Sequence, residues 1–156
     1  MALDLRLETE SLARLFASEG VDYAFCGAVA VSLHGCPRST KDIDVLILEA
    51  DAPRVESLVA RIGFTMSGGI IPFHFGKETE RRIIRVSKFE GEEFLTLDLL
   101  LVTPIFNDVW EGRVVRQVGD LRMGVVSREG LIKMKRLSGR SQDLADIERL
   151  EELYGK

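Results

Sequence analysis

Asp42 and Asp44 stand two residues apart at the head of an otherwise apolar run, Ile43, Val45, Leu46, Ile47 and Leu48. A carboxylate entering such a strand is costly unless it is paired, hydrated or bound to a metal. Strand side chains alternate, so the two acids share one face about 7 Å apart. Carboxylates at that spacing can share hard divalent cations such as Mg²⁺, which take oxygen ligands and keep several waters. The anomaly recurs downstream, where Asp98 is the only charge between Phe94 and Leu101. If the two strands are neighbours, three carboxylates converge as the ligand set of a two-metal phosphoryl-transfer site. The competing structural account has Asp42 pairing with Lys41, and Asp98 in an ion pair with an arginine.

Upstream, Gly27 and Ala28 join a strand to a helix, and Arg38 lies between that junction and the acidic pair. Backbone N–H groups at such a junction attract anions, and a small residue lets phosphate approach the main chain. The stretch is neither a Walker P-loop nor a Gly-x-Gly-x-x-Gly fingerprint, which disfavours a P-loop ATPase and a Rossmann dehydrogenase. Arg38 either steers phosphate or pairs with a loop carboxylate. Lys135 follows Leu131 and Ile132 by four and three residues, so it lies on the inward side of its helix. There it needs an acidic partner: a triphosphate, which is the preferred reading, or Asp143. Arg140, Asp143 and Asp146 read as structural, with Ser141 capping the last helix and Asp143 complementing its positive end. Arg81, Arg82, Arg85 and Lys88 form a second basic cluster, with Arg82 and Lys88 on one strand face. They could grip an RNA backbone, although charges that protect an edge strand are more usual. His34 and His74 stand alone and read as structural, and Cys26 as a buried free thiol.

The elements that must position these groups follow from periodicity and turn signals. Helices are expected from about Glu8 to Ser18, from Ala28 to His34, and from about Pro53 to Ile62. Two more close the chain, at about Arg128 to Leu137 and Gln142 to Leu153. Strands are expected at Val21 to Cys26, Asp42 to Leu48, Ile70 to Phe75, Arg82 to Lys88 and Phe94 to Leu101. The last two form a hairpin across Glu90 to Glu93, and a second hairpin joins Val114–Val118 to Leu121–Val126. Ser67 to Ile70 reads as a turn, and the pattern weakens after Pro104. The order predicts an α/β fold: a mixed β-sheet flanked by helices, with two C-terminal helices.

The 156 residues suit one domain, 1–156, with a core over 21–126 and C-terminal helices over 127–154. Hydrophobic residues at 46% and charged residues at 29% indicate a globular chain rather than a disordered one. A net charge of −4 argues against nucleic-acid binding by the whole surface, while leaving room for a local basic site. No apolar run reaches membrane-spanning length, and the acidic start lacks a signal peptide's pattern, so a cytoplasmic location is expected.

Gly27-Ala28, then Gly35-x-x-Arg38-x-Thr40-x-Asp42-Ile43-Asp44-Val45, resembles the nucleotidyltransferase superfamily of the polymerase-beta type. The likeness is to the bacterial branch that includes AbiEii-like toxins and small uncharacterised domains, and the segment Lys133 to Asp146 resembles that branch's basic-acidic helical segment. The resemblance implies transfer of a nucleoside monophosphate from an NTP to an acceptor hydroxyl, dependent on two Mg²⁺ ions or on Mn²⁺. Asp42, Asp44 and Asp98 would be the metal ligands and catalytic acids, with Asp98 helping to deprotonate the acceptor. Backbone at Gly27 and Ala28 would take the triphosphate, with Arg38 and Lys135 beside it. Ala28 departs from the family's usual Gly-Ser or Gly-Gly and removes a hydroxyl that can touch phosphate. The implied acceptor is RNA, such as a tRNA end, in a toxin-like reaction. The alternatives are a small hydroxylated molecule, as in antibiotic nucleotidyltransferases, and a silent nucleotide-sensing module. A homodimer or an antitoxin could complete so short a chain.

Overall fold

The computed structural model describes residues 3–36 and 40–153. Helix α1 (Leu5–Glu19) starts where the Asp4 side chain accepts the Leu7 N–H at 3.1 Å, and it ends at Gly20. Its buried stripe is Leu12, Ala13 and Phe16. Strand β1 (Ala24–Cys26) leads into α2 (Gly27–Leu33), followed by β2 (Asp42–Ile47) and α3 (Ala52–Ala60). Then come β3 (Met66–Phe73), β4 (Arg81–Glu90) and β5 (Glu93–Leu101). A short 3₁₀ turn at Pro104–Phe106 precedes α4 (Asn107–Glu111), the hairpin β6 (Val114–Val118) and β7 (Leu121–Val125), and finally α5 (Arg128–Ser138) and α6 (Ser141–Leu153).

The strands form one mixed seven-stranded sheet in the order β3-β4-β5-β2-β1-β7-β6. β2 and β5 run parallel at its centre, as do β1 and β7, while the other neighbours are antiparallel. This is the α/β architecture the sequence predicts.

Alternation divides the central strands into two faces. Ile43, Val45 and Ile47 of β2 and Leu97, Leu99 and Leu101 of β5 are buried on one side. Lys88 of β4 reaches across that side to Glu8 of α1 at 2.8 Å, so α1 covers it. Each fully buried Leu or Ile stabilises by ~1.5–3 kcal/mol, which pins the strands that carry the acids. Asp42, Asp44, Thr96 and Asp98 face the other side, toward α5 and α6.

Three expectations are corrected. Ser67 to Ile70 is not a turn; it belongs to β3, where the pairing register slips between Ser67 and Ile70 and so absorbs Gly68 and Gly69 as a bulge. β4 is not an edge strand, because β3 and β5 flank it. Ser141 is the first residue of α6 rather than its cap; the Asp143 carboxylate instead accepts the Arg140 N–H at 3.3 Å. Among the described residues, no helix is long and apolar enough to cross a membrane.

Candidate active site

The parallel pairing of β2 with β5 sets Asp44 beside Asp98 and Asp42 beside Thr96. All three aspartates therefore lie on one face of the sheet and line a cavity of about 380 Å³ roofed by residues of α5 and α6. Cys26 of β1 is the partner of Asp44 on the other flank. The chain turns directly from Cys26 into α2 through Gly27, whose φ of +59° lies in the left-handed region. A Cβ on Gly27 would stand 2.0 Å from Asp44 Oδ2. Glycine is thus required twice, for the backbone angle and for the carboxylate that fills the space of its missing side chain.

Asp98 is 6% exposed and gives both oxygens to Arg85, at 2.8 Å from Nε and 3.0 Å from Nη2. This two-pronged bond, with the oxygens' pull on the guanidinium, raises the Arg85 pKa above its usual value. Register explains the contact. A two-residue turn at Gly91 and Glu92 pairs Glu90 with Glu93, and five further steps along each strand set Arg85 opposite Asp98. The sequence predicts this hairpin, and the register that follows from its two-residue turn places Arg85 opposite Asp98.

Asp44 is partly buried and has its carboxyl pushed up to about 7. Burial is the main cause, followed by repulsion from Asp98 and Asp42, with Lys135 and Arg140 pulling the other way. The site thus carries more negative charge than its own cations balance at Asp44, and its donors are hard oxygens, the type that Mg²⁺ prefers. Asp42 and Asp44 fit a divalent cation on these grounds. Among the described residues, no three His, Cys, Asp or Glu side chains are gathered around one centre, and Asp98 is ion-paired with Arg85. Arg85 takes one lone pair of each Asp98 oxygen, and the carboxylate keeps the others for a further ligand.

The opposite wall comes from α5 and α6. Ser127 caps α5 by accepting the Gly130 N–H at 3.0 Å, and Gly139 ends it in the left-handed conformation, turning the chain so that α6 folds back. Lys135, inward as its spacing predicts and 4% exposed, lies 2.9 Å from Asp146 and 3.5 Å from Asp143. Its charge is thereby committed to two buried carboxylates, the structural one of its two readings. Arg140 bonds Asp143 at 2.8 Å. Burial alone would raise the Asp143 pKa, yet Arg140 first and Lys135 next hold it below the ordinary value. The buried position of Asp146 had no signal in the sequence beyond its helical spacing from Asp143.

Other candidates fall away from this centre. Ala28 is buried and does not line the cavity, and Arg38 lies outside the described residues. Burial, then the nearby Asp44, pushes the Cys26 thiol well above its ordinary pKa, so it remains protonated. His34 is buried against the Val126 carbonyl at 2.9 Å, and burial lowers its pKa. The basic cluster on β4 splits by parity. Arg82 pairs with Glu49 and Glu80, and Lys88 with Glu8, whereas Arg81 and Arg85 face the cavity.

No protein-family model and no curated protein matches the chain. Solved structures do. A candidate nucleotidyltransferase from Thermotoga maritima superposes with a TM-score of 0.65 at 14% identity, over 97% of this chain and 93% of that one. The lincosamide antibiotic adenylyltransferase LnuA, in its lincomycin-bound form, gives 0.58 at 17% identity, over 97% and 98%. The antibiotic-resistance factor ANT(2″)-Ia in complex with adenylyl-2″-tobramycin gives 0.56 at 10% identity, over 93% and 86%. The chain therefore shares the fold of nucleotidyltransferases.

Proposed function

We propose that this protein is a nucleotidyltransferase, moving a nucleoside monophosphate from an NTP to an acceptor hydroxyl. The observation that carries the reading is the meeting of Asp42, Asp44 and Asp98, from two strands far apart in sequence, on one face of a cavity. A silent module has no reason to keep Asp44 where burial and its neighbours push it up to about 7.

In the reaction, the acceptor oxygen forms a bond to the α-phosphorus, the bond from that phosphorus to the bridging oxygen of the β-phosphate breaks, and pyrophosphate leaves. Asp42 and Asp44 would hold the divalent cations, with Asp98 beside them on the neighbouring strand. Bound Mg²⁺ supplies charge neutralisation on the phosphates and lowers the pKa of the acceptor hydroxyl. An Asp98 oxygen takes the hydroxyl proton, and Gly27 keeps the main chain clear of the Asp44 carboxylate.

For the acceptor, a small hydroxylated molecule is favoured over RNA. Two proteins of the same fold were captured with lincomycin and with adenylyl-tobramycin. The basic stripe that an RNA backbone would need is spent instead, with Arg82 and Lys88 in ion pairs with Glu49, Glu80 and Glu8.

The test is label transfer. Wild type and Asp44→Asn are incubated with Mg²⁺ and each α-labelled NTP, against a panel of aminoglycosides and lincosamides and, separately, total RNA. Transfer by wild type that Asp44→Asn lacks is expected. Absence of transfer to every acceptor, with no Mg²⁺-dependent nucleotide binding, would overturn the reading.

A further inference from the structure

Four cations line the cavity, and three of them are committed. Arg85 is bonded to Asp98, Lys135 to Asp143 and Asp146, and Arg140 to Asp143. The fourth, Arg81, makes no ion pair with a carboxylate of the described residues. Its contacts are one long hydrogen bond from Nη1 to the Ser138 hydroxyl at 3.4 Å and the Phe73 ring, 5.6 Å from the guanidinium carbon. Its Nε is buried with no acceptor. A guanidinium cannot shed its charge and can only donate, so an arginine held this way lacks the acceptor its geometry calls for.

We propose that Arg81 anchors the β,γ-phosphate tail of the nucleotide, with Ser138 holding the guanidinium in reserve until the tail arrives. This rests on the transferase reading of the site and names the residue that takes the polyanion. The sequence favours Lys135 for that task, but Lys135 is neutralised by two buried aspartates. Arg81 sits on the same sheet face as Arg85, four residues further along β4, roughly 13 Å at strand spacing. The tail is thereby drawn away from the carboxylates that would otherwise repel it. Guanidinium and phosphate match in a two-pronged bond, with the face of the Phe73 ring beside the cation and the apolar Ile83 and Leu100 lining the same cavity.

The test is a ladder of ligands measured calorimetrically with Mg²⁺ present: a nucleoside monophosphate, the uncleavable α,β-methylene triphosphate of the same nucleoside, and inorganic tripolyphosphate. Arg81→Gln should weaken the triphosphate and tripolyphosphate at least tenfold while leaving the monophosphate within twofold. Arg81→Lys should recover part of the loss, and Ser138→Ala, which leaves the cation in place, should cost only a few fold and serves if Arg81→Gln misfolds. Unchanged triphosphate binding in Arg81→Gln would overturn the assignment, as would an equal loss for the monophosphate, which would put Arg81 on the α-phosphate or the nucleoside. The two readings fail separately. Wild type that holds tripolyphosphate through Arg81 but no nucleotide would sink the transferase and keep the anion site. Nucleotide binding indifferent to Arg81 would do the reverse.

Discussion

Replacing Asp44 with asparagine should stabilise the protein when divalent cations are absent, the opposite of what removing a core-strand group usually does. The Asp44 carboxyl is lifted from 3.8 to about 7. At 1.36 kcal/mol per pH unit, that corresponds to an upper bound of ~4 kcal/mol of native-state cost once the group ionises. The cavity is open to water, and hydration should trim the cost to about 2 kcal/mol. The sign follows from the proton balance. Below 3.8 the carboxyl is protonated in both states and nothing is lost; as pH rises from there through about 7, the native state resists ionisation and stability falls. The asparagine amide mimics the neutral acid in shape and carries no such cost. Thermal unfolding in EDTA at pH 8 should therefore place Asp44→Asn about 4–8 °C above wild type, at ~2–4 °C per kcal/mol for a chain of this size. The two should converge near pH 4. Added Mg²⁺ should raise wild type and leave the variant unmoved. A variant less stable than wild type at pH 8, or a gap that persists on acidification, would refute the electrostatic account of the site.

Two further substitutions separate positioning from stability. Gly27→Ala puts a methyl group where Asp44 Oδ2 lies and forces an alanine into the left-handed region, at ~1–2 kcal/mol for the backbone. Urea unfolding should register that modest loss, while Mg²⁺-dependent stabilisation and label transfer disappear because the carboxylate has moved; retention of both would show that Asp44 tolerates displacement. Lys135→Met removes the ammonium that lies 2.9 Å from Asp146 and 3.5 Å from Asp143 in the buried α5–α6 contact. It should cost ~3–5 kcal/mol in the same assay, with part regained in Lys135→Met/Asp146→Asn. A loss of transfer with unchanged stability would instead restore Lys135 to the substrate.

What the sequence made legible were the places where one residue type contradicts its surroundings. Aspartates in apolar strands marked β2 and β5, and a lysine on an apolar helical stripe marked the inner face of α5; both signals arise because burying a charge demands a partner nearby. The helices and hairpins that carry them were readable from periodicity and turn residues, to within a few positions. The bulge of β3 is not legible in this way, because two glycines resemble a turn whether or not neighbouring strands pair across them. α4 and the 3₁₀ turn at Pro104–Phe106 are too short to establish a period.

The partners of those marked charges were harder, and the reason differs between the two walls of the site. On the sheet, the partner of Asp98 was fixed by local geometry: once Gly91 and Glu92 form a two-residue turn, strand pairing leaves Arg85 no other place. On the helices, the pairing of Lys135 with Asp146 depends on how α6 folds back across Gly139, a packing outcome that no local count supplies. The contrast bears on function. The sheet pair is exposed on its arginine side and can be exchanged, since the Arg85 side chain is 52% exposed while Asp98 is buried. The helix pair is sealed, with both Lys135 and Asp146 buried. Charges that must move during a reaction cycle belong to the first kind, and charges that hold the cavity's shape belong to the second. By that criterion, if the protein is the proposed transferase, Asp98 with Arg85 would belong to the chemistry, and Lys135 with Asp143 and Asp146 would form the frame against which it works.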